Sequence, residues 1–161
     1  MPHPPGPKIW LSENAFISMV SASVEAFPEE TLGILLGLRE PLQKRFLVQY
    51  AVVYQTAERA RNKVRADPER AVRLNKFLKK VTFLEAIGDF HSHPREPVRK
   101  ISSCWLSDDD KDSMSVDDVG FVIAIDRDYK ERDWCHLSQG SLLGSVFPYS
   151  LKISGWYETA R

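Results

Sequence analysis

Residues 84–94 read Leu84-Glu85-Ala86-Ile87-Gly88-Asp89-Phe90-His91-Ser92-His93-Pro94. The run from Leu84 to Phe90 predicts a strand that continues into His91-Ser92-His93. Alternate side chains of a strand point the same way, so the His91 and His93 rings can converge on one point. Pro94 lacks an amide N–H and turns the chain out of the strand. Two imidazoles make a catalytic zinc site only with a third protein ligand, the fourth position being left to water. The spacing differs from the helical HExxH pattern, in which the two ligands sit one turn apart. A His-x-His pair by itself is more often an accident of strand composition than a metal site, so its surroundings decide.

Downstream, residues 95–106 read as a loop. Ser107-Asp108-Asp109-Asp110 then resembles a helix start with acids in the first turn. Asp110, one turn in, is placed to swing back toward the two histidines. The run Asp108, Asp109, Asp110 and Asp112 is equally what a helix dipole favours at its N-terminus, and taken alone that simpler reading wins.

Upstream, Ile9-Trp10-Leu11 is a short apolar run and Ser12 is a helix N-cap candidate. Phe16, Met19, Val20, Val24 and Phe27 recur at helical spacing over residues 13–27, and Pro28 closes the helix. The nearly continuous apolar run Thr31 to Leu38, with Gly33 and Gly37 inside, reads as a buried strand. Phe46 to Tyr54 reads as a second. Asp67-Pro68-Glu69 starts another helix, with Ala71, Leu74, Leu78 and Val81 as its apolar face. Strands are predicted at Gly120 to Asp126, Trp134 to Ser138 and Tyr149 to Glu158. The fold class expected is α/β or α+β: a single central mixed sheet flanked by helices. There is no internal repeat. Residues 8–161 form one domain behind a Pro-rich leader, residues 1–7, that is expected to be disordered.

Bulk properties narrow the function. The 161 residues hold 22 Lys plus Arg and 22 Asp plus Glu. Zero net charge argues against a nucleic-acid partner, although the stretch Arg59 to Lys80 is locally basic. No apolar run approaches the ~20 residues of a membrane span, and the leader lacks the apolar core of a signal peptide. A cytoplasmic protein with no membrane partner is expected. Two cysteines, Cys104 and Cys135, make neither a disulfide framework nor a four-thiolate site. Cys104 and Cys135 are read more simply as plain thiols; because Cys104 lies on the loop entering the candidate site and Cys135 on a strand that could flank it, the two are also expected close enough to pair under oxidation. A reducing cytoplasm argues against a permanent bond. His3, in the leader, and His136, without a ligand pattern nearby, compete poorly as metal ligands, and no Gly-rich phosphate loop is present.

Taken together, Gly88-Asp89-Phe90-His91-Ser92-His93-Pro94 and Ser107-x-x-Asp110 resemble the JAMM (MPN+) motif, HxHP followed by SxxD. That motif has an upstream glutamate opening a strand of the form E-x-x-G-hydrophobic-hydrophobic-hydrophobic-G. The chain has Glu30-Thr31-Leu32-Gly33-Ile34-Leu35-Leu36-Gly37, which selects Glu30 over Glu29. The resemblance spans roughly residues 8–158 and implies the MPN/JAMM (cytidine-deaminase-like) fold. It implies one Zn2+ per chain held by His91, His93 and Asp110, whose charge brings the pKa of a water towards ~7. Glu30 would take the water proton and pass it to the leaving amine. Ser107 would donate to the developing oxyanion, its plainer reading being a helix N-cap.

The implied activity is that of a zinc metalloprotease, an isopeptidase of deubiquitinase-like type. The substrate expected first is the C-terminal Gly-Gly tail of a ubiquitin-like modifier or its conjugate, added as a strand beside the site. The alternatives are a peptidase on cell-wall or phage-tail related peptides and a non-catalytic MPN scaffold. The oligomeric state stays open, a homodimer included. One departure stands out. The family commonly has about six residues between HxHP and SxxD, whereas twelve, Arg95 to Leu106, lie here. That segment is expected to cover the site or touch substrate, against the plainer reading of an insertion without a role.

Overall fold

The computed structural model describes residues 6–60, 63–95, 103–137 and 140–158. Its elements are β1 (Lys8–Leu11), α1 (Glu13–Ala26), β2 (Leu32–Glu40), β3 (Arg45–Val53), β4 (Glu58–Ala60), β5 (Lys63–Arg65), α2 (Pro68–Val81) and β6 (Glu85–Pro94). They continue with α3 (Asp108–Ser113), β7 (Val119–Asp126), β8 (Cys135–His136), β9 (Ser141–Val146) and β10 (Tyr149–Tyr157). Eight strands form one mixed sheet in the order β1-β3-β2-β6-β7-β10-β9-β8, and β4 with β5 makes a separate two-stranded ribbon. Only β1 with β3 and β6 with β7 run parallel. The mixed α+β class and the single sheet agree with the sequence reading.

α1 covers one face. Ser12 caps it by accepting from the Ala15 amide, and its Ala15, Met19 and Val20 pack on Leu35, Val48, Ile87, Phe90, Ile123 and Ile153. These come from five strands, β2, β3, β6, β7 and β10, so one helix covers most of the width of the sheet. β6 is held between β2 and β7, so the strand carrying the histidines lies near the middle of the sheet. Two glycines allow this. Gly33 pairs with Phe90, whose fully buried ring occupies the space a Cβ would need. Gly88 has φ of +150°, and a Cβ there would collide with the Val119 carbonyl where β6 first pairs with β7.

Several sequence expectations are corrected. β9 and the β4–β5 ribbon were not anticipated. Ser141–Val146 reads Ser-Leu-Leu-Gly-Ser-Val, which lacks clean alternation, and the ribbon strands are three residues each. The strand expected at Trp134 to Ser138 shrinks to Cys135–His136, and Ser138 lies outside the described residues. Trp134 instead turns inward, edge-on to Phe16 at 4.7 Å. On α2 the half-buried stripe is Ala71, Leu74, Asn75 and Leu78, while Val81 is 58% exposed. Pro7 and Gly6 precede β1; the rest of the proposed leader, with His3, lies outside the described residues. Among the described residues, no helix is long and apolar enough to cross a membrane.

Candidate metal centre

β6 ends in His91-Ser92-His93-Pro94, and β2 begins opposite it. The register Leu32↔His91 continues through two bonds: the Ser92 amide donates to the Thr31 carbonyl at 3.0 Å, and the Thr31 amide donates to Ser92 Oγ at 2.9 Å. Glu30, one residue before Thr31, is 9% exposed. Its charge acts on His91.

The third donor arrives on α3. Ser107 is the N-cap, its Oγ accepting from the Asp110 amide at 3.1 Å. The Ser107 amide in turn donates to Asp110 Oδ2 at 2.7 Å. This reciprocal capping box fixes the Asp110 carboxylate against the start of its own helix. Asp110 Oδ1 then lies 3.4 Å from His91 Nε2, and Oδ2 lies 3.7 Å from His93 Nε2. The two Nε2 atoms are 3.0 Å apart. A tetrahedral zinc with bonds of about 2.05 Å holds its donors roughly 3.3 Å apart, so these spacings suit one ion. Two imidazoles and a carboxylate are also the donor chemistry that zinc takes in catalytic sites.

Electrostatics agree with the geometry. Burial pulls the His91 imidazole down, but Asp110, helped by Asp89 and Glu30, more than reverses this and leaves it above its ordinary value. Burial pushes Asp110 up, yet the bond and charge of His91 and the bonds from Ser107 hold it far below the usual carboxylate range. Asp89, two residues before His91 on the same face, is raised by burial; His91 opposes this, and Asp110 and Asp118 add to it. Tyr54 is raised by burial and by the charge of Asp89, while a bond from Asn75 lowers it.

Of the five residues selected from the sequence, His91, His93 and Asp110 gather at one end of β6, Ser107 caps the helix that carries Asp110, and Glu30 acts on His91 through its charge. Sequence reasoning missed Ser103, whose backbone carbonyl accepts from His93 Nδ1 at 2.8 Å. A carbonyl carries no residue-type signal. It also missed Trp156 on β10, whose Nε1–H donates to the Cys104 carbonyl at 3.1 Å. The expected pairing of Cys104 with Cys135 is not formed: both thiols are free. Cys104 packs on Val122 of β7 beside Trp156 of β10, whereas Cys135 sits on β8, two strands beyond β10. Two strand spacings are roughly 10 Å, past the ~7 Å limit for a bridge. Of the twelve-residue insertion, residues 96–102 lie outside the described residues, and residues 103–106 lie on the site face. A cavity of about 410 Å³ at the far end of β2 is lined by Arg39, Lys44, Arg45 and Tyr157. Arg39 there is already engaged by Glu85 and Asp118, and Arg45 by Glu40.

The family described as prokaryotic homologs of the JAB domain matches residues 12–136. The chain belongs to that family. Among solved structures it is similar to protein DSY2949 from Desulfitobacterium hafniense, a solution structure, with 23% identity over 71% of this chain and 73% of that one, at a TM-score of 0.55. At that identity the likeness speaks for the fold alone. Among curated proteins none matches the chain. As a JAB-domain homolog, the chain carries in His91, His93 and Asp110 a group able to hold a metal ion.

Proposed function

We propose that the chain is a zinc-dependent hydrolase of the JAMM type, cleaving amide or isopeptide bonds at the C-terminal tail of a ubiquitin-like modifier. The observation that carries this reading is the convergence of His91, His93 and Asp110 within bonding reach of one ion, with the charge of buried Glu30 acting on His91. Family membership supports it, although JAB-domain membership alone is compatible with a binding role.

When bound, zinc supplies Lewis-acid charge that makes a water acidic near neutrality. The protein's own residues do the rest. Glu30 accepts the proton of the attacking water and returns it to the leaving amine. Ser107 Oγ accepts from the Asp110 amide and keeps its own hydrogen for donation to the developing oxyanion. One such donor is typically worth about 3 kcal/mol of barrier. An extended tail cannot pair with β6, because β2 and β7 occupy both of its edges.

The test is Glu30→Gln, read as zinc per chain together with single-turnover cleavage of a lysine-linked ubiquitin-like conjugate. Zinc and fold should survive while cleavage falls about 10²–10⁴-fold, the usual contribution of a positioned base. Near-normal cleavage with normal zinc would remove Glu30 from the mechanism. Loss of zinc together with activity would make it a ligand or a structural residue instead.

A further inference from the structure

We infer that Trp156 is a positioning residue for the metal ligand His93, acting through the segment 103–106 that it fastens to the sheet. The inference rests on the reading of His93 as a ligand.

His93 uses its two ring nitrogens differently. Nε2 faces His91 Nε2 and Asp110, while Nδ1 meets the Ser103 carbonyl at 2.8 Å. A carbonyl only accepts, so Nδ1 carries the hydrogen and the neutral ring presents a lone pair at Nε2. An outer acceptor of this kind fixes both the tautomer and the orientation of a histidine ligand. The quality of that ligand therefore depends on how firmly the Ser103 carbonyl is held.

Ser103 belongs to the inserted segment and to no strand, so no strand ladder holds it. The next peptide does. The Cys104 carbonyl accepts from Trp156 Nε1 at 3.1 Å. Cys104, 7% exposed, is pressed on Val122 and Ala124, with Leu106 and Trp156 packed around them. The Trp105 ring lies 5.4 Å from the Trp156 ring, and the Trp105 amide donates to Ser103 Oγ at 3.1 Å. Successive carbonyls, Ser103 and Cys104, are thus claimed by His93 and by Trp156. The indole is one peptide unit away from controlling the imidazole. β10 presents Trp156 on the site face because its register partner is Gly120, in step with Val122 and Ala124.

The experiment uses the whole chain and Trp156→Phe, which keeps an aromatic ring and removes the donor. Zinc affinity is measured by competition with a chromophoric chelator. The His93 tautomer is read from ¹⁵N couplings of the metal-free protein. The variant should bind zinc about tenfold more weakly, the lower end of what outer partners of a ligand are worth. Its His93 should change from a single Nδ1–H tautomer to a mixture. In the wild type, zinc addition should move the indole N–H resonance of Trp156 more than those of Trp10 and Trp134, and this readout survives if the variant does not fold. Wild-type zinc affinity with an unchanged tautomer in the variant would overturn the inference, as would an indole resonance of Trp156 indifferent to zinc. If the wild type binds no zinc, the proposed function fails, while the tautomer of the metal-free ring still tells whether Trp156 positions His93.

Discussion

The two faces of the central sheet are built from the same strands and do opposite things. On β6, Phe90 and Ser92 turn toward α1, both with no exposed surface, whereas His91 and His93 turn the other way. On β7, Phe121, Ile123 and Ile125 join the core under α1, while Gly120, Val122 and Ala124 face the histidines. Large apolar side chains fill the α1 face. Small ones on the other face leave room for two imidazoles, a carboxylate and the crossing segment 103–106. The difference teaches that stability and chemistry are divided by the pleat of a strand: the α1 face is held by continuous packing, and the site face by a few identified hydrogen bonds.

Substitutions on either side of β6 test that division. Phe90→Ala should cost about 3–5 kcal/mol by denaturant unfolding, the usual loss for emptying a buried aromatic site. His91→Ala, one residue later but on the opposite face, should cost the metal-free protein less than about 1.5 kcal/mol. Equal costs would dissolve the comparison. A smaller effect is expected at the capping box. Ser107→Ala removes a cap worth about 1 kcal/mol and loosens the carboxylate that the box holds, so zinc affinity should fall along with the melting temperature. Unchanged zinc affinity would mean that the box does not hold the carboxylate for the metal.

The smallest effect is pH-dependent. In the metal-free chain Asp110 lies below its unfolded value, so its contribution is present above about pH 4 and fades as pH falls through the depressed folded pKa. His91 lies above its unfolded value, so its contribution is complete below about pH 6.5 and fades as pH rises through the raised folded pKa. The melting-temperature gap between wild type and Asp110→Asn should therefore be widest between about pH 4 and 6.5 and narrow at higher pH. A gap independent of pH would mean that the pair is held by the cap and not by charge.

Much of the site was legible because its residues obey local rules. His91 and His93 share a face through strand alternation, and Ser107 ahead of three acids reads as a helix N-cap. Glu30 was proposed through the strand it precedes, and Gly33 there is required by the Phe90 ring. What could not be read depends on long-range contact. The Ser103 carbonyl matters through its backbone, and Trp156 acts from a strand more than sixty residues after His93 in sequence. The short ribbon and β9 offered too few alternating residues to announce themselves. The expected cysteine pair failed because flanking in sequence order is not adjacency in a sheet, where β10 and β9 separate the region of Cys104 from β8.

Elemental analysis decides whether one ion is held by His91, His93 and Asp110. The purified wild-type chain and the His91→Ala and Asp110→Ala variants are dialysed against metal-free buffer after loading with zinc, and metal per folded chain is measured. One zinc per chain is expected in the wild type, with its loss in both variants and a fold preserved by circular dichroism, because each change removes one of three protein ligands. A wild type that keeps no zinc, or variants that keep it in full, would contradict the assignment.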